Sequence, residues 1–160
     1  MPSTEINLNP VEYITVGTIG PKGRRVFHLQ AGFEGKLVSF TIEKEQARAL
    51  SESINEFIED LDQRLDVQTE VQMSALDMDL REPIQPLFRV ARFSLGYDEN
   101  EKMVIVIAQE LALSDEEEGG VVRMWCTREQ VYALSIQAMD MVEAGRPEPQ
   151  QNGRILYYWT

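Results

Sequence analysis

One stretch of the chain occurs twice. Residues 38–51 read Val-Ser-Phe-Thr-Ile-Glu-Lys-Glu-Gln-Ala-Arg-Ala-Leu-Ser, and residues 122–135 read Val-Arg-Met-Trp-Cys-Thr-Arg-Glu-Gln-Val-Tyr-Ala-Leu-Ser. Without a gap, Glu45 and Gln46 align with Glu129 and Gln130, and Ala49, Leu50 and Ser51 align with Ala133, Leu134 and Ser135. A self-similarity at this spacing predicts two related halves before any single element is assigned. Each copy reads as a strand running straight into a helix.

The elements around the two copies follow the same order. Residues 1–10, with Pro2 and Pro10, read as a loose arm. Tyr13 to Ile19 reads as a strand, and Gly17, Gly20, Pro21 and Gly23 mark the turn after it. Val26 to Ala31 alternates, with Phe27, Leu29 and Ala31 against His28 and Gln30, which predicts a half-buried strand. A second turn over residues 32–36 leads into Leu37 to Ile42. In the second half, Phe88 to Tyr97, Lys102 to Glu110 and Val121 to Cys126 form the corresponding strands. Residues 103–108 are apolar on both faces, which predicts a central strand covered on both sides.

The helices carry clearer stripes. Ala47, Leu50, Ile54, Phe57, Ile58, Leu61 and Leu65 recur every three or four residues, with Glu52, Glu56, Glu59, Asp60 and Gln63 between them. In the second helix Val131, Leu134, Ala138, Met141 and Val142 form the inner stripe, and Tyr132, Ile136 and Met139 widen it. Thr127 with Gln130 makes a capping box, while Gly145 and Pro147 end the helix. Residues 67–87 have no period and read as a connector, with a short helix around Met73 to Leu80.

The expected fold is therefore α+β within one domain, residues 1–160. Its half-repeats cover residues 11–66 and 88–145, with a connector at 67–87 and a tail at 146–160. Short turns predict six main antiparallel strands with two principal helices, related by a pseudo-twofold. Whether the strands form one sheet, a sandwich or a barrel stays open at this stage.

Composition narrows the function. The formal net charge is −12, which argues against a general binder of nucleic-acid backbones. One cysteine precludes an internal disulfide and favours a reducing cytoplasm. The N-terminus has no basic region followed by an apolar one, and no apolar run is long enough to span a bilayer.

The most suggestive chemistry lies in the glycine- and arginine-rich loop, residues 17–25. There Gly20 and Gly23 allow close backbone approach, and Lys22, Arg24 and Arg25 concentrate positive charge on an acidic protein. The favoured reading is a mobile hairpin turn with solvated charges; the alternative is a site for a phosphate or carboxylate, although the loop matches no P-loop. His28, the single histidine, lies on the polar face of its strand and is expected to be structural or solvated. Cys126 precedes a helix but shares phase with Val122 and Met124, so a buried, inert thiol is expected. The acidic run at residues 115–118 lacks the alternation of a calcium loop, and Asp77 and Asp79 show no acid–base partner. The aromatic tail, with Tyr157, Tyr158 and Trp159, reads as an added strand or as a partner-docking patch. No cofactor and no metal are expected.

Several segments, in order, resemble a bacterial family known as domain of unknown function 3090. They are Gly17-Thr-Ile-Gly20, Phe27-His-Leu-Gln-Ala31, Leu37-Val-Ser-Phe40, Glu43-Lys-Glu-Gln46 and Ala144-Gly-Arg-Pro147, and the resemblance spans nearly the whole chain. It implies that many members carry a Cys/His-rich tail with zinc-knuckle spacing after the Gly-Arg-Pro segment. Residues 147–154 here contain neither Cys nor His, which removes that metal expectation. The resemblance further implies an association with phosphoryl metabolism but supplies no mechanism.

The sequence thus favours a non-enzymatic binding or adaptor protein acting through a protein partner. The alternative is phosphate-ligand binding or phosphoryl transfer through residues 17–25. Nucleic acid and membrane insertion are not expected, and a homo-oligomer remains open.

Overall fold

The computed structural model describes residues 5–112, 114 and 119–144. Two helices and a seven-stranded mixed sheet make up an α+β fold. The strands are β1 (Glu5–Leu8), β2 (Tyr13–Ile19), β3 (Val26–Phe33), β4 (Lys36–Ile42), β5 (Pro86–Asp98), β6 (Met103–Glu110) and β7 (Val121–Cys126). Helix α1 (Lys44–Leu65) follows β4, and α2 (Arg128–Ala144) follows β7. Strand-strand-strand-helix therefore occurs twice in the element order.

The spatial order is β1-β7-β6-β5-β4-β3-β2. Four of the pairings are antiparallel, while β4 with β5 and β1 with β7 are parallel. The six-strand, antiparallel expectation thus needs two corrections. Residues 5–8 of the presumed loose arm are a strand, because β7 offers them a free edge. The parallel contact of β4 with β5 arises because a helix crossover, not a tight turn, connects the two, while β1 pairs with β7 across most of the chain. The expected short helix in the connector is a single 3₁₀ turn, Met73–Ala75.

The two ends of this sheet are adjacent in sequence. A flat seven-stranded sheet would hold its edges six ladder spacings apart, about 28 Å. The link from Leu8 to Tyr13 reaches at most about 18 Å when fully extended. The sheet must therefore curl. The backbone shows where it closes: Val11 N–H donates to Trp125 O on β7 at 2.9 Å, and Glu12 N–H donates to Gly32 O on β3 at 2.7 Å. Between consecutive residues the chain passes from one edge of the sheet to the other. Strand β5 makes a similar change, pairing first with β4 through Pro86, Phe88 and Arg89 and then with β6 from Val90 onward, with a register shift between Val90 and Arg92.

Both changes of partner are held by a glutamine at the start of a helix. Gln46 Nε2 donates to Val90 O at 2.9 Å and Ala91 O at 3.3 Å, while its Oε1 accepts from Glu43 N–H at 2.7 Å. Gln130 Nε2 donates to Val11 O at 3.2 Å and Glu12 O at 3.4 Å. Its Oε1 accepts from Thr127 N–H at 2.8 Å, and Thr127 Oγ1 accepts from Gln130 N–H at 3.0 Å, forming the expected capping box. Between the helices, Ser51 Oγ donates to Ser135 O at 2.7 Å, joining two residues aligned in the sequence.

The core lies inside the curl. Leu29, Phe40, Val104, Val106, Met124 and Leu134 are fully enclosed, and Phe40 meets Phe88 with ring centroids 5.0 Å apart. Outside the curl, the connector crosses β2, β3 and β4. Gln30 fastens it: Oε1 accepts from Tyr13 Oη at 2.6 Å and Arg81 N–H at 2.8 Å, while Nε2 donates to Ser39 Oγ at 3.1 Å and Arg81 O at 2.8 Å. Thr15 Oγ1 donates to Met78 O at 2.6 Å. Gly17 makes room for the crossing, since a Cβ there would lie 2.5 Å from Leu80 Cγ. Strand β3 is consequently buried on both faces, not half-buried as its alternation predicts. Strand β6 shows the converse, with one buried and one half-buried face, because the connector does not extend over it.

The glutamine anchors give a direct test. Gln46→Ala and Gln130→Ala each remove a helix-start acceptor and a donor to strand carbonyls. Each should lower stability by about 1–3 kcal/mol. Urea unfolding should show a lower midpoint with an unchanged slope, whereas Gln63→Ala on the exposed face of α1 should change little.

Candidate functional site

The hairpin between β2 and β3 contains every residue of the predicted anion loop. Gly20 and Gly23 adopt positive φ, +107° and +84°, and Arg24 N–H closes the turn on Pro21 O at 2.9 Å. A Cβ on Gly20 would approach Arg24 O to 2.9 Å, so the turn requires glycine there. Lys22 and Arg24 project into solvent. Gly23 and Arg25 alone reach a pocket of about 380 Å³ between the hairpin, the start of α1 and the end of α2. Gly20, Lys22 and Arg24 do not line it.

Two further cations complete the pocket. Lys44 is the first residue of α1, and Arg89 is brought beside Thr41 by the parallel pairing of β4 with β5. Phe27, Ile42 and Val142 give it an apolar floor. The single carboxylate on its wall among the described residues, Glu43, accepts from Arg89 Nη1 in an ion pair whose side chains are both more than half exposed. Among the described residues three positive groups therefore line the pocket with one negative group, on a protein of net charge −12. The positive end of the α1 dipole adds to that field. A lysine at the first helical position runs against the dipole's preference for acidic residues, which is the signal in the sequence that marks Lys44. Arg89 carries no comparable signal, because only the strand crossover brings it to the site.

The other candidate groups lie elsewhere. His28 is buried beneath the connector, 6% exposed, with no hydrogen-bond partner for Nδ1. The expectation of a structural or solvated role narrows to the structural one. Burial, partly offset by the Phe40 backbone, holds its pKa below the ordinary 6.5. Cys126 is fully enclosed, as expected, and burial drives its thiol pKa far up. Asp77 Oδ1 accepts from Asp79 N–H at 3.1 Å in an exposed local turn. Among the described residues, no group of three or more His, Cys, Asp or Glu side chains is placed to hold a metal ion. Residues 115–118 and the predicted docking residues Tyr157, Tyr158 and Trp159 lie outside the described residues.

The model of the family described as protein of unknown function (DUF3090) matches residues 6–154. The chain belongs to that family. Nothing among curated proteins or solved structures matches it. No helix of the described residues is long and apolar enough to cross a membrane.

The buried imidazole gives a pH dependence. Since the folded pKa lies below the unfolded one, the unfolded chain takes up the proton first as pH falls. The contribution to stability is therefore complete above the unfolded value of 6.5 and declines as pH drops through it toward the folded value. Urea unfolding at pH 7.5 and 5.5 should show a smaller difference in His28→Gln than in the unaltered protein.

Proposed function

We propose that the protein is a non-enzymatic binding protein whose pocket takes a small phosphorylated ligand. The observation that carries this reading is the convergence of Arg25, Lys44 and Arg89 on one pocket. Guanidinium groups suit the oxygens of a phosphate through paired, charge-assisted hydrogen bonds. The apolar floor favours a ligand with a carbon body behind the anionic group. His28 is buried away under the connector, and Glu43, the carboxylate on the wall, is engaged by Arg89, which supports binding over phosphoryl transfer.

The wider setting is part of the same proposal. A single buried cysteine supports a reducing bacterial cytoplasm. An origin by internal duplication is supported by the matching hydrogen bonds of Gln46 and Gln130 and by the meeting of Ser51 with Ser135.

A thermal-shift screen against nucleotides, phosphosugars and inositol phosphates tests the reading. A ligand at about 100 times its dissociation constant should stabilise the fold by about 2.7 kcal/mol. Arg25→Ala should weaken binding about tenfold or more by removing a charge-assisted hydrogen bond. Arg89→Ala should weaken it further, because Glu43 is then left unneutralised on the pocket wall. Glu43→Gln should tighten binding, and Lys22→Ala should leave it unchanged. A flat screen, or a hit indifferent to Arg25→Ala, would refute the reading.

A further inference from the structure

The two helices treat the strands beside them differently. Helix α2 lies directly along β2. Helix α1 stands away from the second half of β5, leaving a trough of about 620 Å³ between Ala49, Ser53 and Glu56 on the helix and residues 91–95 on the strand. The trough continues past Tyr97 to Asn100 as a second space of about 870 Å³, and Phe57 and Asp60 line both.

Beyond Ala91, whose carbonyl accepts from Gln46 Nε2, the backbone facing this trough has no partner among the described residues. Glu110 N–H donates to Gly120 O at 2.8 Å, so the even-numbered residues of β6 turn their peptide groups toward β7 and the odd-numbered ones toward β5. Those odd-numbered residues stand opposite Arg92, Ser94, Gly96 and Asp98. The N–H and C=O groups of Phe93, Leu95 and Tyr97 therefore point the other way, into the trough. Among the described residues no hydrogen bond engages them. Native sheets usually cover, bend or charge such an edge, since it templates pairing with another chain.

We propose that this edge receives an extended peptide strand of a partner protein, seated between β5 and α1, with Lys or Arg on alternate residues toward the acidic rim. Donors and acceptors that repeat every second residue, about 6.8 Å apart, match the backbone of an extended chain. The charge of the rim selects the partner. Glu56, Asp60, Asp98 and Glu99 stand against Arg64 and Arg92. Arg64 is tied to Asp60 at 3.1 Å and Arg92 to Gln109, which leaves Glu56 and Glu99 to pair with incoming cations. Ala49 and Phe57 give the floor an apolar surface for the alternate side chains. This surface is separate from the Arg25 pocket and would let one protein bind a ligand and a partner together.

The probe is a labelled heptapeptide alternating Lys and Val, titrated by fluorescence anisotropy. A second peptide of the same sequence carries an N-methyl group on every residue, which keeps its charge but removes the N–H donors of both strand edges. Binding should be at least tenfold weaker for the methylated peptide, and similarly weaker in Ala49→Trp, which fills the trough from an exposed helix position. Arg25→Ala should bind the first peptide normally, so failure of the phosphate reading leaves this test intact. If Ala49→Trp does not fold, the methylated peptide alone decides. Equal binding of the two peptides would mean attraction by charge alone and overturn the proposal, as would no binding at millimolar concentration. A concentration-dependent dimer lost in Ala49→Trp would assign the edge to a second copy instead. Binding seen only after removal of residues 155–160 would assign it to the chain's own end.

Discussion

The fold depends on a single change of partner between Val11 and Glu12. Up to Val11 the chain extends the β7 edge, and from Glu12 it extends the β3 edge. Without that change the sheet would remain open, with two exposed edges and a core that two helices cannot cover. Closing the sheet leaves carbonyl oxygens at the junction without ladder geometry, and such groups are costly when enclosed without partners. Gln130 donates to Val11 O and Glu12 O, and Gln46 does the same for Val90 O and Ala91 O. Each amide also accepts from the N–H at the start of its helix, so helix start and strand junction are fixed in one geometry.

From this closure follows the division between the two outer faces. The connector leaves the end of α1, where Asp62 accepts from Thr69 N–H at 2.8 Å and Thr69 Oγ1 at 2.6 Å, and Arg128 of α2 meets the same threonine at 2.8 Å. It then crosses the outside of β2, β3 and β4 before becoming β5. Gln30 holds it there through Arg81 N–H and Arg81 O, and its remaining acceptor and donor positions bond Tyr13 Oη and Ser39 Oγ, so the amide is buried without loss. The guanidinium of Arg81 lies 3.8 Å from the centre of the Tyr13 ring, adding a cation–π contact to the same attachment. His28 is enclosed as a by-product of that crossing.

The closure also shapes the basic pocket and the trough beside β5. The parallel contact of β4 with β5 carries Arg89 to the start of α1, where it meets Lys44 and Arg25. Beyond the register shift, β5 leaves β4 and turns one row of peptide groups toward α1. A basic pocket and a strand edge unpaired among the described residues thus lie on either side of one strand junction.

Much of this was legible in the sequence. The spacing of apolar residues determined both helices, because a stripe at three and four residues has one good burial solution. Alternation and glycine-rich turns located β2, β3, β4, β6 and β7 to within a residue or two, and the Thr127 and Gln130 capping box was readable from its own spacing. Arg25 could be singled out as a cation beside flexible glycines. The rest was decided by contacts between segments far apart in the chain. Residues 5–8 become a strand only because β7 presents an edge, and Gln30 looks solvent-facing until the connector covers it. Lys44 and Arg89 become one site only when β4 and β5 pair in parallel. Sequence periodicity reports which side of an element is apolar, whereas tertiary structure decides what lies against the other side.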